Sequence, residues 1–140
     1  GIKKVLADTL TAKDIIYTYA DIEAVIKYIE QINKEYVKKR EKLKINKKVI
    51  TIDSPFARNF FKNYYQNITE TRFIDHQAYP FSSVMQIYDN RVVYISLSKD
   101  AFVAMLISDK NIYQMQKSLF EYNWKHAKTY DALPSFSKAE

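Results

Sequence analysis

Ser83-Val84-Met85-Gln86-Ile87-Tyr88-Asp89-Asn90-Arg91-Val92-Val93-Tyr94-Ile95-Ser96-Leu97 is the stretch from which the architecture can be read outward. Two strand-length runs rich in β-branched and aromatic residues flank Asp89-Asn90, a pair that tolerates the left-handed conformations of a tight turn. The pattern predicts a β-hairpin. Ser98-Lys99-Asp100 then breaks the run before Ala101-Phe102-Val103-Ala104-Met105-Leu106-Ile107. That segment is apolar on both alternating faces, as in a strand covered on both sides, and is expected near the centre of the sheet. Ser108 or Asp109 can cap the helix that follows. Ile112, Met115, Leu119, Phe120 and Ala127 recur on it at helical spacing beside Trp124, and they read as a core-facing stripe.

Upstream, strands alternate with helices. Ile2, Val5, Leu6 and Leu10 mark an amphipathic leading helix, about residues 1–12, with no capping residue at its visible start, as though it continued in a longer parent protein. Ile15 to Tyr19 reads as a strand. Asp21 then caps a long helix with Ile22, Val25, Ile26, Ile29, Tyr36 and Val37 on one face. Val49 to Ile52 is the next strand, and Ser54-Pro55 starts a helix whose stripe is Phe56, Phe60, Phe61 and Tyr64. Thr71 to Ile74 fits a short edge strand. The order predicts an α/β domain, a mixed β-sheet flanked by helices, over residues 1–128, with 129–140 as a frayed tail.

Composition excludes several function classes. The 140 residues are 47% hydrophobic and 27% charged, an ordinary balance for one domain. There is no cysteine, so disulfides, thiol catalysis and cysteine-bound zinc are excluded, and a cytoplasmic setting is expected. The longest apolar run, Ala101 to Ile107, is too short to span a bilayer, and no membrane association is expected. The only glycine is Gly1, which rules out a P-loop, a GxGxxG dinucleotide turn and a GxSxG nucleophile elbow.

Charge is concentrated in one place. Lys34, Lys38, Lys39, Arg40, Lys42, Lys44, Lys47 and Lys48 are opposed in that segment only by Glu35 and Glu41, an excess equal to the +6 net charge of the whole chain. Such a run fits the solvated, dipole-favoured end of a helix followed by a polar turn. Its functional alternative is a basic patch that contacts nucleic acid directly. No catalytic constellation stands out. His76 and His126 are far apart in sequence, the serines have no histidine at a defensible spacing, and the aspartates lie at element ends where capping explains them. No metal site and no cofactor are expected.

The Ser54-Pro55 helix start, the turn Tyr79-Pro80-Phe81-Ser82, the hairpin Gln86 to Ser96 and the helix ending Leu119-Phe120-Glu121-Tyr122-Asn123-Trp124 together resemble the effector domain of TrmB-family transcriptional regulators. The resemblance runs over essentially the whole length. It implies a phospholipase D-like domain of a prokaryotic regulator whose N-terminal winged helix-turn-helix, which contacts DNA, is not in this chain. Active phospholipase D-like enzymes carry HxKxxxxD. Laid on the hairpin, the aspartate position is Asp89, but the histidine position is Ser82 and the lysine position Val84. Valine cannot hold a phosphate charge, and the serine has no evident base. The resemblance therefore implies a non-catalytic domain for effector sensing, dimerisation or both, with a divergent phosphodiesterase as a rival. Ser82, Gln86, Ser96 and Ser98 are the candidates for lining an effector cleft, and Ile2, Val5, Leu6 and Leu10 for a homodimer interface.

Overall fold

The Asp89-Asn90 turn forms as anticipated, with φ of 43° and 61°, both left-handed, joining β4 (Ser83–Tyr88) to β5 (Arg91–Leu97). The computed structural model describes residues 1–75 and 77–136. His76 and positions 137–140 of the anticipated tail lie outside the described residues. The other elements are α1 (Ile2–Thr9), β1 (Ile16–Ala20), α2 (Ile22–Leu43), β2 (Lys47–Ile52), α3 (Pro55–Phe61), β3 (Thr69–Ile74), β6 (Phe102–Ser108) and α4 (Lys110–His126), followed by a 3₁₀ turn at Tyr130–Ala132.

Local chemistry accounts for the element starts. Asp21 accepts from the Glu23 amide at 3.2 Å, Ser54 from Ala57 at 3.0 Å and Asp109 from Ile112 at 2.8 Å, so three helices begin on a side-chain cap. Lys44 closes α2 in a left-handed conformation, φ 56°, where most helices use glycine. A kink interrupts α2 at Ile29, φ −139° and ψ 36°, with neither proline nor glycine beside it.

One mixed sheet of six strands runs in the order β3-β2-β1-β4-β5-β6. The pairs β3-β2 and β2-β1 are parallel, whereas β1-β4, β4-β5 and β5-β6 are antiparallel. On one face, Ile16, Val49, Val84, Tyr88, Val93 and Ile95 pack against Ile2 and Leu6 of α1 and Ile22, Val25, Tyr36 and Val37 of α2. On the other, Ile50, Ile87 and Val92 meet Phe120, Trp124 and Ala127. Helices cover both faces, as the alternation of elements predicts.

Four expectations are overturned. The run Ala101 to Ile107 is not central: β6 is an edge strand, with Val103 54% and Met105 50% exposed. β1 already occupies the far side of β4, so a strand hairpinned to β5 has only the outer position left. The stripe of α4 is also rotated. Its sheet-facing residues are Phe120, Trp124 and Ala127, continued by half-buried Tyr113, Gln116 and Lys117, whereas Ile112, Met115 and Leu119 face outward. The cause is aromatic fit: the Phe120 ring wedges between Tyr17 and Tyr19, with centroids 5.2 and 5.1 Å away. Third, α1 spends Ile2 and Leu6 on the core of its own chain, with Val5 and Leu10 half-buried against it, so the stripe expected to form a homodimer interface is largely used within the chain. Finally, the chain after position 128 is docked as far as Phe136. Lys128 bridges Phe73, the Tyr130 ring stands edge-on to Phe73, and Arg58 donates to the Pro134 carbonyl at 2.7 Å.

Candidate functional site

The inner face of α2 carries Asn33, Tyr36 and Arg40 three and four residues apart, so they stack along one line facing the sheet. Opposite them, the register aligns Gln86 of β4 with Thr18 of β1 and Val49 of β2. Lys47 lies two residues before Val49 and therefore points to the same side. A polar layer thus runs through what should be an apolar core. It surrounds a cavity of about 60 Å³ lined by these residues and by Tyr64, with no aspartate or glutamate among the lining residues.

Two cations are buried there. Arg40, 1% exposed, donates to the Ile45 carbonyl at 2.9 Å, the Ile68 carbonyl at 3.0 Å and Thr69 Oγ1 at 2.6 Å, tying the turn after α2 to the start of β3. Lys47, 8% exposed, holds its ammonium over the Tyr36 ring, 4.6 Å from the centroid. Neither has a carboxylate partner among the described residues. Burial, and next the neighbouring Arg40 charge, holds the Lys47 amine well below the ordinary lysine range. Burial also raises the Tyr36 phenol, and it pushes Tyr64 up to about 12 although Arg40 pulls the other way. Tyr36 Oη lies 2.9 Å from Thr9 Oγ1 and donates to Gln86 Oε1 at 3.3 Å. Thr18 Oγ1 has no hydrogen-bond partner among the described residues, whereas the Arg40 guanidinium also meets the Tyr64 phenol.

The residues singled out from sequence do not gather into one cleft. Gln86 is buried in the polar layer. Ser82 is exposed ahead of β4, and Ser96 is exposed on the opposite sheet face, paired in register with Ser83. Ser98 is exposed and closes the β5-β6 turn on Ala101. The four expected residues therefore do not form one cleft, and of them only Gln86 lines this cavity. The motif positions are equally dispersed: Val84 is in the core, and Asp89 accepts from the Lys13 amide at 2.8 Å, pinning the hairpin to the α1-β1 connection. The basic run divides as well. Lys34, Lys38, Lys39, Lys42 and Lys44 are exposed, Lys48 leans on the Trp124 ring, and Arg40 and Lys47 face inward, which removes them from any surface patch.

Periodicity carried the signal for those two. Arg40 continues the line Ile22, Val25, Ile29, Tyr36, and Lys47 shares the parity of Val49, but charge made both read as surface. A second opening, a shallow groove of about 780 Å³ lined by Gly1 to Lys4, Ile32 and Phe102 to Ala104, has little polar lining apart from lysines at its rim and offers no convergent chemistry.

The fold itself has a solved counterpart. The structure of TrmBL2, an archaeal chromatin protein that shows a novel mode of DNA binding, superimposes with a TM-score of 0.57 at 20% identity, over 92% of this chain and 52% of that one. The chain thus spans about half the length of that protein, and at this identity the likeness is one of fold. No family model matches the chain. No curated protein matches it either. Among the described residues, no helix is long and apolar enough to cross a membrane.

Proposed function

We propose that this chain is the non-catalytic regulatory domain of a TrmB-like DNA-binding regulator, of phospholipase D-like descent, which senses an effector, self-associates, and acts on DNA through an N-terminal part of its parent protein. The observation that carries this reading is the fold shared with TrmBL2, combined with Ser82 and Val84 at the positions where hydrolytic chemistry would need histidine and lysine. A scaffold retained without its nucleophile suits sensing and assembly. The reading is tested on the parent protein. Removing this domain should leave DNA contact in place and abolish its regulation, and the isolated chain should not turn over phosphodiesters across a broad pH range. Turnover by the isolated chain would contradict it.

Self-association moves from α1 to another helix. On α4, Ile112, Met115, Leu119 and Tyr122 are all exposed and stand at i, i+3, i+7 and i+10, the spacing of a coiled-coil seam. A second copy is the partner that suits this stripe, because a two-fold axis sets the same narrow seam on both sides. Solution mass should report a dimer that Met115→Asp and Leu119→Asp dissociate. A monomer independent of concentration would rule the seam out.

A second reading has its own observation. Lys34, Lys38 and Lys42 are exposed at steps of four along α2, with Lys39 beside them, and such a row can follow a phosphate backbone. Lys34 already pairs with Glu30 at 3.2 Å. Direct nucleic-acid binding would fall steeply with salt and on charge reversal at Lys38 and Lys39. No binding at low salt would dismiss it.

A further inference from the structure

We propose that the cavity beneath α2 is a binding site for a small oxyanion, a phosphate or a short carboxylate, held between Lys47 and Arg40. Three independent observations converge on it. Two cations occupy a buried site whose lining contains no acidic residue. Buried charge without a counter-charge is costly, and an anion supplies one. One of the lining groups, Thr18 Oγ1, is buried without a hydrogen-bond partner among the described residues. The space is also of the right size. At about 60 Å³ it accommodates roughly four waters, or one anion of four to five heavy atoms.

The donors are suited to this ligand. A protonated Lys47 supplies a point charge, Thr18 Oγ1 supplies a directed proton, the Arg40 guanidinium adds its fixed charge, and the Gln86 amide lies within the same wall. Arg40 is already fixed by three hydrogen bonds, so the site is preorganised and ordering it on binding costs little. The same guanidinium joins α2 to the turn before β3. An anion that draws on it would adjust the packing of the long helix on the sheet, which is the kind of change an effector must make.

This inference names the effector chemistry for the regulatory reading and rests on that reading for its purpose, while binding is judged by itself. The test is thermal unfolding of the whole chain in phosphate, sulfate and acetate against chloride at matched ionic strength, for the wild type, Lys47→Met, Thr18→Val and the surface control Lys38→Met. The expected result is stabilisation by at least one oxyanion, kept in Lys38→Met and weakened roughly tenfold to hundredfold in apparent affinity in Lys47→Met. Thr18→Val, which preserves charge and volume, should weaken it by less. An equal shift in Lys47→Met, or no shift in the wild type with any of the three anions, overturns the proposal. Whether the bound anion alters self-association or DNA contact of the parent protein is a separate measurement, so the site and its regulatory role can fail independently.

Discussion

The space beneath α2 and the outer surface of α4 break the same rule in opposite directions. Beneath α2, the core holds Arg40, Lys47, Gln86, Thr18 and Tyr36 where aliphatic side chains would pack more cheaply. On α4, Ile112, Met115, Leu119 and Tyr122 are exposed where charge would keep the surface solvated. Each departure costs stability or solubility, and such departures concentrate where function compensates for them. The contrast separates a place that receives something polar from a place that receives something apolar.

The largest expected effect comes from removing the staple. Arg40→Met should destabilise the chain by about 3 kcal/mol in denaturant unfolding, because it leaves the Ile45 carbonyl buried without its donor and strips the Ile68 carbonyl, which keeps the Lys47 amide, and the Thr69 hydroxyl of one partner each. A loss below 1 kcal/mol would mean that water reaches those carbonyls and that the layer is not sealed.

Lys47→Met should do the reverse. Replacing a desolvated amine by an apolar chain of similar length should stabilise the anion-free protein by about 1 kcal/mol near neutral pH. The sign with pH follows from burial, which sets the folded-state pKa of Lys47 below its unfolded value. Between those two values the unfolded chain binds more protons, so wild-type stability rises with pH across that window. The charged and titratable groups around it are Arg40, which stays charged, and Tyr36 and Tyr64, whose raised pKa values keep them neutral there. The advantage of Lys47→Met should therefore shrink as pH climbs toward the ordinary lysine range, and an advantage that widened instead would place the amine in water.

On the α4 side the same logic predicts a small change in fold stability with a large change in assembly. Met115→Asp should alter monomer unfolding by no more than about 0.5 kcal/mol while abolishing the dimer proposed through α4. The smallest effect is local to the hairpin: Asn90→Gly should add a few tenths of a kcal/mol, since glycine meets the φ of 61° without a side-chain penalty. Destabilisation there would mean that the Asn90 side chain holds the turn in a way that its backbone angles do not reveal.

The comparison also sorts what the sequence could disclose. Turn and cap chemistry is local, so Asp89-Asn90, Asp21, Ser54 and Asp109 could be read directly from neighbouring residues. Strand order is not local. The two-sided apolarity of Phe102 to Ile107 fits a central strand on burial grounds, and only the occupancy of the far side of β4 by β1 sends it to the edge. The α4 register was ambiguous for a related reason: the helix offers two apolar stripes about one step apart, and the aromatic pair Tyr17 and Tyr19 on β1 selects the one with Phe120. The polar layer was half legible. Helical and strand periodicity place Arg40 and Lys47 inward, but their membership in a dense basic run argued for solvent. The kink at Ile29 has no sequence marker at all.

The most direct test of the account is the titration of the Lys47 side chain, followed by NMR on lysine-labelled protein with and without phosphate. The account predicts one lysine signal, absent from Lys47→Met, that titrates well below the others in the free chain and whose midpoint moves upward toward them when phosphate is added. A Lys47 signal that titrates with the surface lysines and ignores phosphate would contradict it.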